Sequence, residues 1–213
     1  MTEPMRDHWW WRPGWRVGRS FYTWHITFAD QPAAQRLVSD YAPALAALPM
    51  LDPVPVRWLH LTLQGIGFTD EVDRADVDRI VRAARERCAA LEPFTVIIGP
   101  AHVDPETIQM PARPLEPITQ LRSAIRAAIG DVWGPDNVPE PEAGFRAHVS
   151  LGYSNASGPA EPVERGLTTH GEHRAEVTVS SVSLIDLNRD RHSYEWVDVA
   201  SVPLVREGVG RSR

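Results

Sequence analysis

Hydrophobic and polar positions change their period several times along the chain, and each change marks a predicted element. Residues 21–29 (FYTWHITFA) are aromatic and β-branched, which predicts a first strand. Asp30 stands where it can cap a helix over 33–48, with Pro32 in the first turn and a distortion at Pro43. A proline-rich loop through Asp52, Pro53 and Pro55 leads into a strand over 56–66. There Leu59, Leu61 and Leu63 face one way, and Trp58, His60, Thr62 and Gln64 the other. Val77, Ile80, Val81, Ala84, Cys88 and Leu91 then recur at helical spacing over 74–91. Pro93 ends that helix, and strands follow over 94–101 and 107–110, joined by a turn at Asp104 and Pro105.

A third helix is predicted over 115–129, with Leu115, Ile118, Leu121, Ile125 and Ile129 inward and Gly130 as its stop. An acidic, proline-rich loop over 134–143 delivers a strand over 145–154. A short helix near Val163 and two strands, 176–187 and 194–204, complete the pattern, and 206–213 read as a flexible tail. Helices mixed with strands able to pair antiparallel indicate the α+β class.

Two of these strands carry the same alternation: His60-Leu61-Thr62-Leu63 and His148-Val149-Ser150-Leu151. In a strand, residues i and i+2 share a face, so each motif aims an imidazole and a hydroxyl at one surface. Composition alone gives ~0.02 matches per histidine, or ~0.16 over all eight. Three occur, the third being His25-Ile26-Thr27-Phe28. Facing one cleft, two such strands would supply an acid, a base and two hydroxyls, which suffices for phosphodiester chemistry.

Composition narrows the alternatives. A net charge of -6 gives no support for wholesale electrostatic binding to nucleic acid. A single cysteine, Cys88, rules out an internal disulfide, and its apolar stripe suits a buried, inert thiol. The first residues do not read as a signal peptide, and no apolar run spans a bilayer, so the expectation is a cytoplasmic protein. P-loop, Rossmann and Gly-x-Ser-x-Gly signatures do not occur. His170 and His173 have the wrong spacing for a helical zinc motif, and no metal or other cofactor is expected.

With their flanks, Trp58 to Gly67 and Phe145 to Tyr153 resemble the two signatures of the 2H phosphoesterase superfamily, and more narrowly its 2′-5′ RNA ligase and cyclic phosphodiesterase branch. The resemblance implies a bilobal, duplicated fold over 21–205, with two largely antiparallel sheets flanking a groove and helices outside. Residues 1–20, a Trp-rich arm, have no counterpart in it. It also implies that His60 and His148 are the acid/base pair and that Thr62 and Ser150 hold phosphate oxygens. The motifs leave open which ring is acid and which is base, since the roles exchange for the reverse reaction; for hydrolysis of a 2′,3′-cyclic phosphate the favoured order has His148 activating water and His60 protonating the leaving oxygen.

Arg146, two positions before His148, is expected to share the groove face, whereas Arg57 falls opposite His60. Tyr153, His25 and Tyr22 are further candidates for substrate contact. His25 is also readable as a sheet-face histidine; one of the tryptophans at 9, 10, 11, 15 and 24, or Tyr22, is a candidate to stack on a base at the groove mouth, the alternative being an aromatic arm packed on a sheet or a partner subunit. The expected partner is an RNA terminus or a small nucleotide bearing a 2′,3′-cyclic phosphate or a 2′-5′ linkage, with no membrane. The rivals are a nucleotide- or RNA-binding module without turnover, and a 2′-5′ RNA ligase. Oligomeric state is not readable from the sequence.

Overall fold

The computed structural model of the chain describes residues 3–205, so the tail expected over 206–213 lies outside the described residues. Within them, ten strands and four α-helices follow in order: β1 (Phe21–Thr27), α1 (Pro32–Ala46), β2 (Leu51–Pro53), β3 (His60–Phe68), α2 (Arg74–Cys88), β4 (Phe94–Ile98), β5 (His102–Asp104), β6 (Thr107–Arg113), α3 (Leu115–Trp133), β7 (His148–Ser154), α4 (Glu161–His170), β8 (Ala175–Val179), β9 (Ser181–Asn188) and β10 (Glu195–Pro203). They build a four-stranded sheet in the order β10-β9-β1-β3 and a six-stranded one in which β2-β7-β6-β4-β8 are joined by β5 on β6. Every pairing among these strands is antiparallel. The α+β expectation with two antiparallel sheets holds.

Each sheet buries one face under a pair of helices. On α2, Val77, Ile80, Val81, Ala84 and Cys88 are buried, as their spacing predicts. That burial pushes the Cys88 thiol up to about 11, which keeps it protonated and inert. Helices α2 and α3 pack on each other and reach β10 and β3, while α1 and α4 pack together, with α1 against β8. At ~1.5–3 kcal/mol for each large aliphatic side chain removed from water, these stripes supply most of the drive to fold.

Several boundaries differ from expectation, each for a local reason. The cap of α1 is Gln31, without a side-chain hydrogen bond, rather than Asp30, and the helix runs unbroken through Pro43. Gly130 does not stop α3, which continues to Trp133 and ends at Gly134, whose φ of 89° suits glycine. Leu115, expected inward, opens that helix exposed to solvent. The run 176–187 is two strands rather than one: β8 pairs with β4, and after Ser180 β9 pairs with β1 in the other sheet. Strands β3 and β7 start at His60 and His148, later than the pattern suggests, because Val56–Trp58 form a 3₁₀ turn and 145–147 precede the ladder.

The N-terminal segment is packed into the fold. The Met5 side chain is fully buried and its backbone bridges Gly158, while the His8 N–H donates to the Ser154 carbonyl. Trp9 is 6% exposed, donates its indole N–H to Asp52, and lies flat on His192 at 5.2 Å. Arg189, itself buried, donates to the His8 and Trp10 carbonyls. Trp9→Ala is therefore expected to lower unfolding stability by about 3–5 kcal/mol in urea titration. It should also open the chain to trypsin at Arg16; unchanged stability and resistance would show that the segment is not held this way.

Candidate functional site

Both motif histidines are the first residue of their strand, and this decides what their rings do. The carbonyl two residues upstream lies outside the ladder and is free to accept. His60 Nδ1 donates to the Trp58 carbonyl at 2.7 Å, and His148 Nδ1 donates to the Arg146 carbonyl at 2.8 Å. A carbonyl only accepts, so Nδ1 carries the hydrogen in each neutral ring and Nε2 is left as a bare lone pair. Among the described residues neither Nε2 is hydrogen-bonded to a protein group. His60, Thr62, His148 and Ser150 line one cavity of about 240 Å³.

Burial lowers the proton affinity of both rings. It brings His60 down to about 4, opposed by the hydrogen bond to Trp58 and assisted by repulsion from His148. His148 is also lowered, again first by burial. Both are neutral at pH 7 in the free protein, and an anion between them would favour a proton on one.

Around this pair the cavity is aromatic. The His25 ring stacks on His60 with centroids 4.2 Å apart and planes within 5°. Its Nε2 lies 3.1 Å from Thr62 Oγ1, the two residues being cross-strand partners. Trp196 sets its ring edge-on to both histidines. Tyr153 stacks with His8 at 4.4 Å, and the Tyr194 hydroxyl meets His8 Nε2 at 2.8 Å. Burial, with Arg12 and Arg189 nearby, brings His8 down to about 3, so it is a neutral wall rather than a cation. Trp15, Phe21 and Leu187 add an apolar stretch to the lining, and Glu140 a carboxylate.

Glu140 is delivered by two arginines of α3. Arg122, 5% exposed, donates to the carbonyls of Leu63, Pro141 and Glu142; Arg126 donates to Gln64 Oε1 and to the carbonyls of Pro139 and Glu140. The carboxylate then accepts from the Gly65 N–H at 3.2 Å. A Cβ on residue 65 would sit 2.7 Å from Glu140 Oε1, so glycine is what permits the approach.

The structure brings together His60, His148, Thr62, Ser150, His25 and Tyr153 around the cavity, and leaves two of the named residues away from it. Tyr22 is buried on the other face of β1, because Phe21, Thr23 and His25 take the groove side and Tyr22 alternates with them. Arg146 precedes β7 and turns outward, with its guanidinium 3.7 Å from Asp104; with Arg113 and Phe145 it lines a separate cavity of about 220 Å³ that also touches His148. Gln64 leaves the face it was expected to share with His60, because the register of β3 on β1 slips at Leu63. A slip in β7 at Leu151 has the opposite use, returning Tyr153 to the groove side. Arg57 lies over the Trp58 ring.

Sequence reasoning missed His8, Glu140 and Trp196; Trp15 stood among the tryptophans offered for base stacking and does line the cavity, and Tyr194 stood only in the family resemblance, with no role at the site. Of the missed residues only Trp196 carried a signal, as an aromatic two positions from Tyr194 beside a closing strand. His170 and His173 hold helix-end carbonyls, at Gly166 and His170. Among the described residues no cluster of three metal-ligating side chains forms, and no helix is long and apolar enough to cross a membrane.

Among solved structures, the fold is similar to that of TT0787 of Thermus thermophilus, with a TM-score of 0.66, 18% identity, and 89% of this chain covering 100% of that one. It is also similar to a structure described as a phosphoesterase (TM-score 0.62, 16% identity, 88% and 99% covered). E. coli LigT complexed with 3′-AMP gives a TM-score of 0.64 at 14% identity, with 88% and 99% covered. No curated protein sequence matches. The family model for the 2′-5′ RNA ligase superfamily matches residues 30–191, a span that holds both His-x-Thr/Ser strands. The chain therefore belongs to the 2′-5′ RNA ligase superfamily, within the 2H phosphoesterases.

Proposed function

We propose that the protein is a metal-independent phosphodiesterase acting on 2′,3′-cyclic phosphates or 2′-5′ linkages at RNA ends or in small nucleotides. One observation carries this reading: two imidazoles that open strands of opposite sheets share a cavity with Thr62 and Ser150, each with Nδ1 held by backbone and Nε2 bare. In hydrolysis one Nε2 takes a proton from water as the water oxygen bonds to phosphorus. The bond from phosphorus to one ribose oxygen breaks, and the other histidine gives that oxygen its Nε2 proton. Thr62 and Ser150 donate to the nonbridging oxygens as charge gathers there.

The catalytic proton resides on the ring that gives it up last. His60 is 8% exposed and the more deeply buried, so a proton recruited by the substrate's anion settles on His148. This makes His148 the acid and His60 the base, the reverse of the order favoured from the sequence. Small nucleotides suit a site of this size; LigT of E. coli has been solved with 3′-AMP, ATP and NADP+. 3′-AMP is one of the two monoesters that 2′,3′-cyclic AMP can open to, the other being the 2′-phosphate. With a ribose 5′-hydroxyl in place of water, the same two proton transfers open a 2′,3′-cyclic phosphate at its 3′ oxygen and join a 2′-5′ linkage, so ligation is the second reading that the family supports.

Incubation with the four 2′,3′-cyclic mononucleotides and a 2′-5′ dinucleotide, with chelator present, should yield phosphomonoesters. His60→Ala and His148→Ala should each lower kcat by about 10²–10⁴. Turnover indifferent to both substitutions, or abolished by the chelator, would contradict the proposal.

The pH dependence has a definite sign. The free protein holds both rings below the ordinary histidine value, and catalysis needs one proton between them. The maximum of kcat/KM is therefore expected below about pH 6.5, on the acid side of an unperturbed histidine. The maximum of kcat should lie at higher pH, because a bound phosphate anion stabilises the imidazolium. A kcat/KM that climbs steadily through about pH 8 would exclude a proton-sharing histidine pair.

A further inference from the structure

We propose that His25 is a positioning residue: its Nε2–H donates to Thr62 Oγ1 and so turns the Thr62 hydroxyl hydrogen into the groove. The inference rests on reading the groove as a phosphate site. His25 is 1% exposed and is the third residue of the chain to carry the His-x-Thr pattern. Its ring lies between no charged partners: one face rests on His60, Trp196 meets it edge-on, and Thr62 takes Nε2.

A neutral ring has one N–H, and the surroundings choose which. Nδ1 is buried without a hydrogen-bond partner. Were the hydrogen on Nδ1, a buried donor would be orphaned, and the Thr62 hydroxyl would have to donate to Nε2, away from any ligand. With the hydrogen on Nε2, Nδ1 keeps only an unmet lone pair, the milder of the two deficits. Thr62 Oγ1 then accepts from His25, and its own hydrogen is free for an anionic oxygen. A hydroxyl that already accepts one such bond is also a stronger donor.

Nitrogen-15 NMR of the labelled wild-type protein tests the tautomer directly: His25 should show a protonated Nε2 and a bare Nδ1. A protonated Nδ1 would overturn the proposal whatever the protein's activity. Kinetics on a 2′,3′-cyclic mononucleotide test the role. His25→Phe keeps a flat ring against His60 but has no N–H, and kcat should fall about tenfold or more with KM within about threefold. His25→Gln, whose amide N–H₂ reaches the Nε2 position, should recover most of that loss.

Thr62→Val should lower kcat by about 10²–10³, and adding His25→Phe to it should change kcat by less than about twofold, because the two act through one hydroxyl. An equal further loss in the Thr62→Val background would show that His25 does not act through Thr62. Absence of any wild-type turnover would instead remove the proposed function and leave the tautomer result standing.

Discussion

A short hydrogen bond from an imidazole Nδ1 to the carbonyl two residues upstream governs the chemistry of this fold. It occurs at His60 and again at His148, and in each case exists because the strand starts at the histidine. One residue earlier in the ladder, that carbonyl would be spent on a neighbouring strand. The bond fixes the tautomer, holds the ring plane and leaves Nε2 as a bare lone pair, the atom that the proposed reaction uses. A site in which both histidines hold the same tautomer can exchange the roles of acid and base by moving one proton.

The rest of the architecture serves to keep these two strand ends over one cavity. Arg122 and Arg126 clamp the loop before β7 to β3, so the second motif's approach is tied directly to the first. Register slips at Leu63 and Leu151 move Gln64 out of the groove and Tyr153 into it. The N-terminal segment joins features far apart in the chain, with Arg12 and His8 both at Glu106 and Gly18 donating to Asp190. The cavity's histidines are neutral at pH 7, so in the proposed reaction phosphate recognition rests on hydroxyl donors and on a proton acquired with the substrate.

Much of the site was legible because strand alternation is a strict period of two. His60 with Thr62, and His148 with Ser150, follow from it, as does the core stripe of α2 from the helical period. The strand rule, applied to β1, places Tyr22 opposite His25, so that expectation failed through incomplete use of a rule already in hand. Other features leave no local mark. A register slip is an agreement between two strands, and β3 alone does not reveal that Leu63 is the extra residue. The division of 176–187 at Ser180 involves no glycine or proline, only a change of pairing partner. His8 and Glu140 reach the cavity through contacts made across much of the chain, and nothing in their neighbourhoods announces it.

The most direct test of the central claim is a crystal structure with inorganic phosphate bound. The expected anion lies within hydrogen-bond distance of Nε2 of both His60 and His148, with Thr62 Oγ1 and Ser150 Oγ on its remaining oxygens. Both Nδ1 atoms should keep their carbonyl partners at Trp58 and Arg146. Phosphate bound elsewhere, or held by Nδ1 after either ring has turned, would contradict a site built on two backbone-fixed imidazoles.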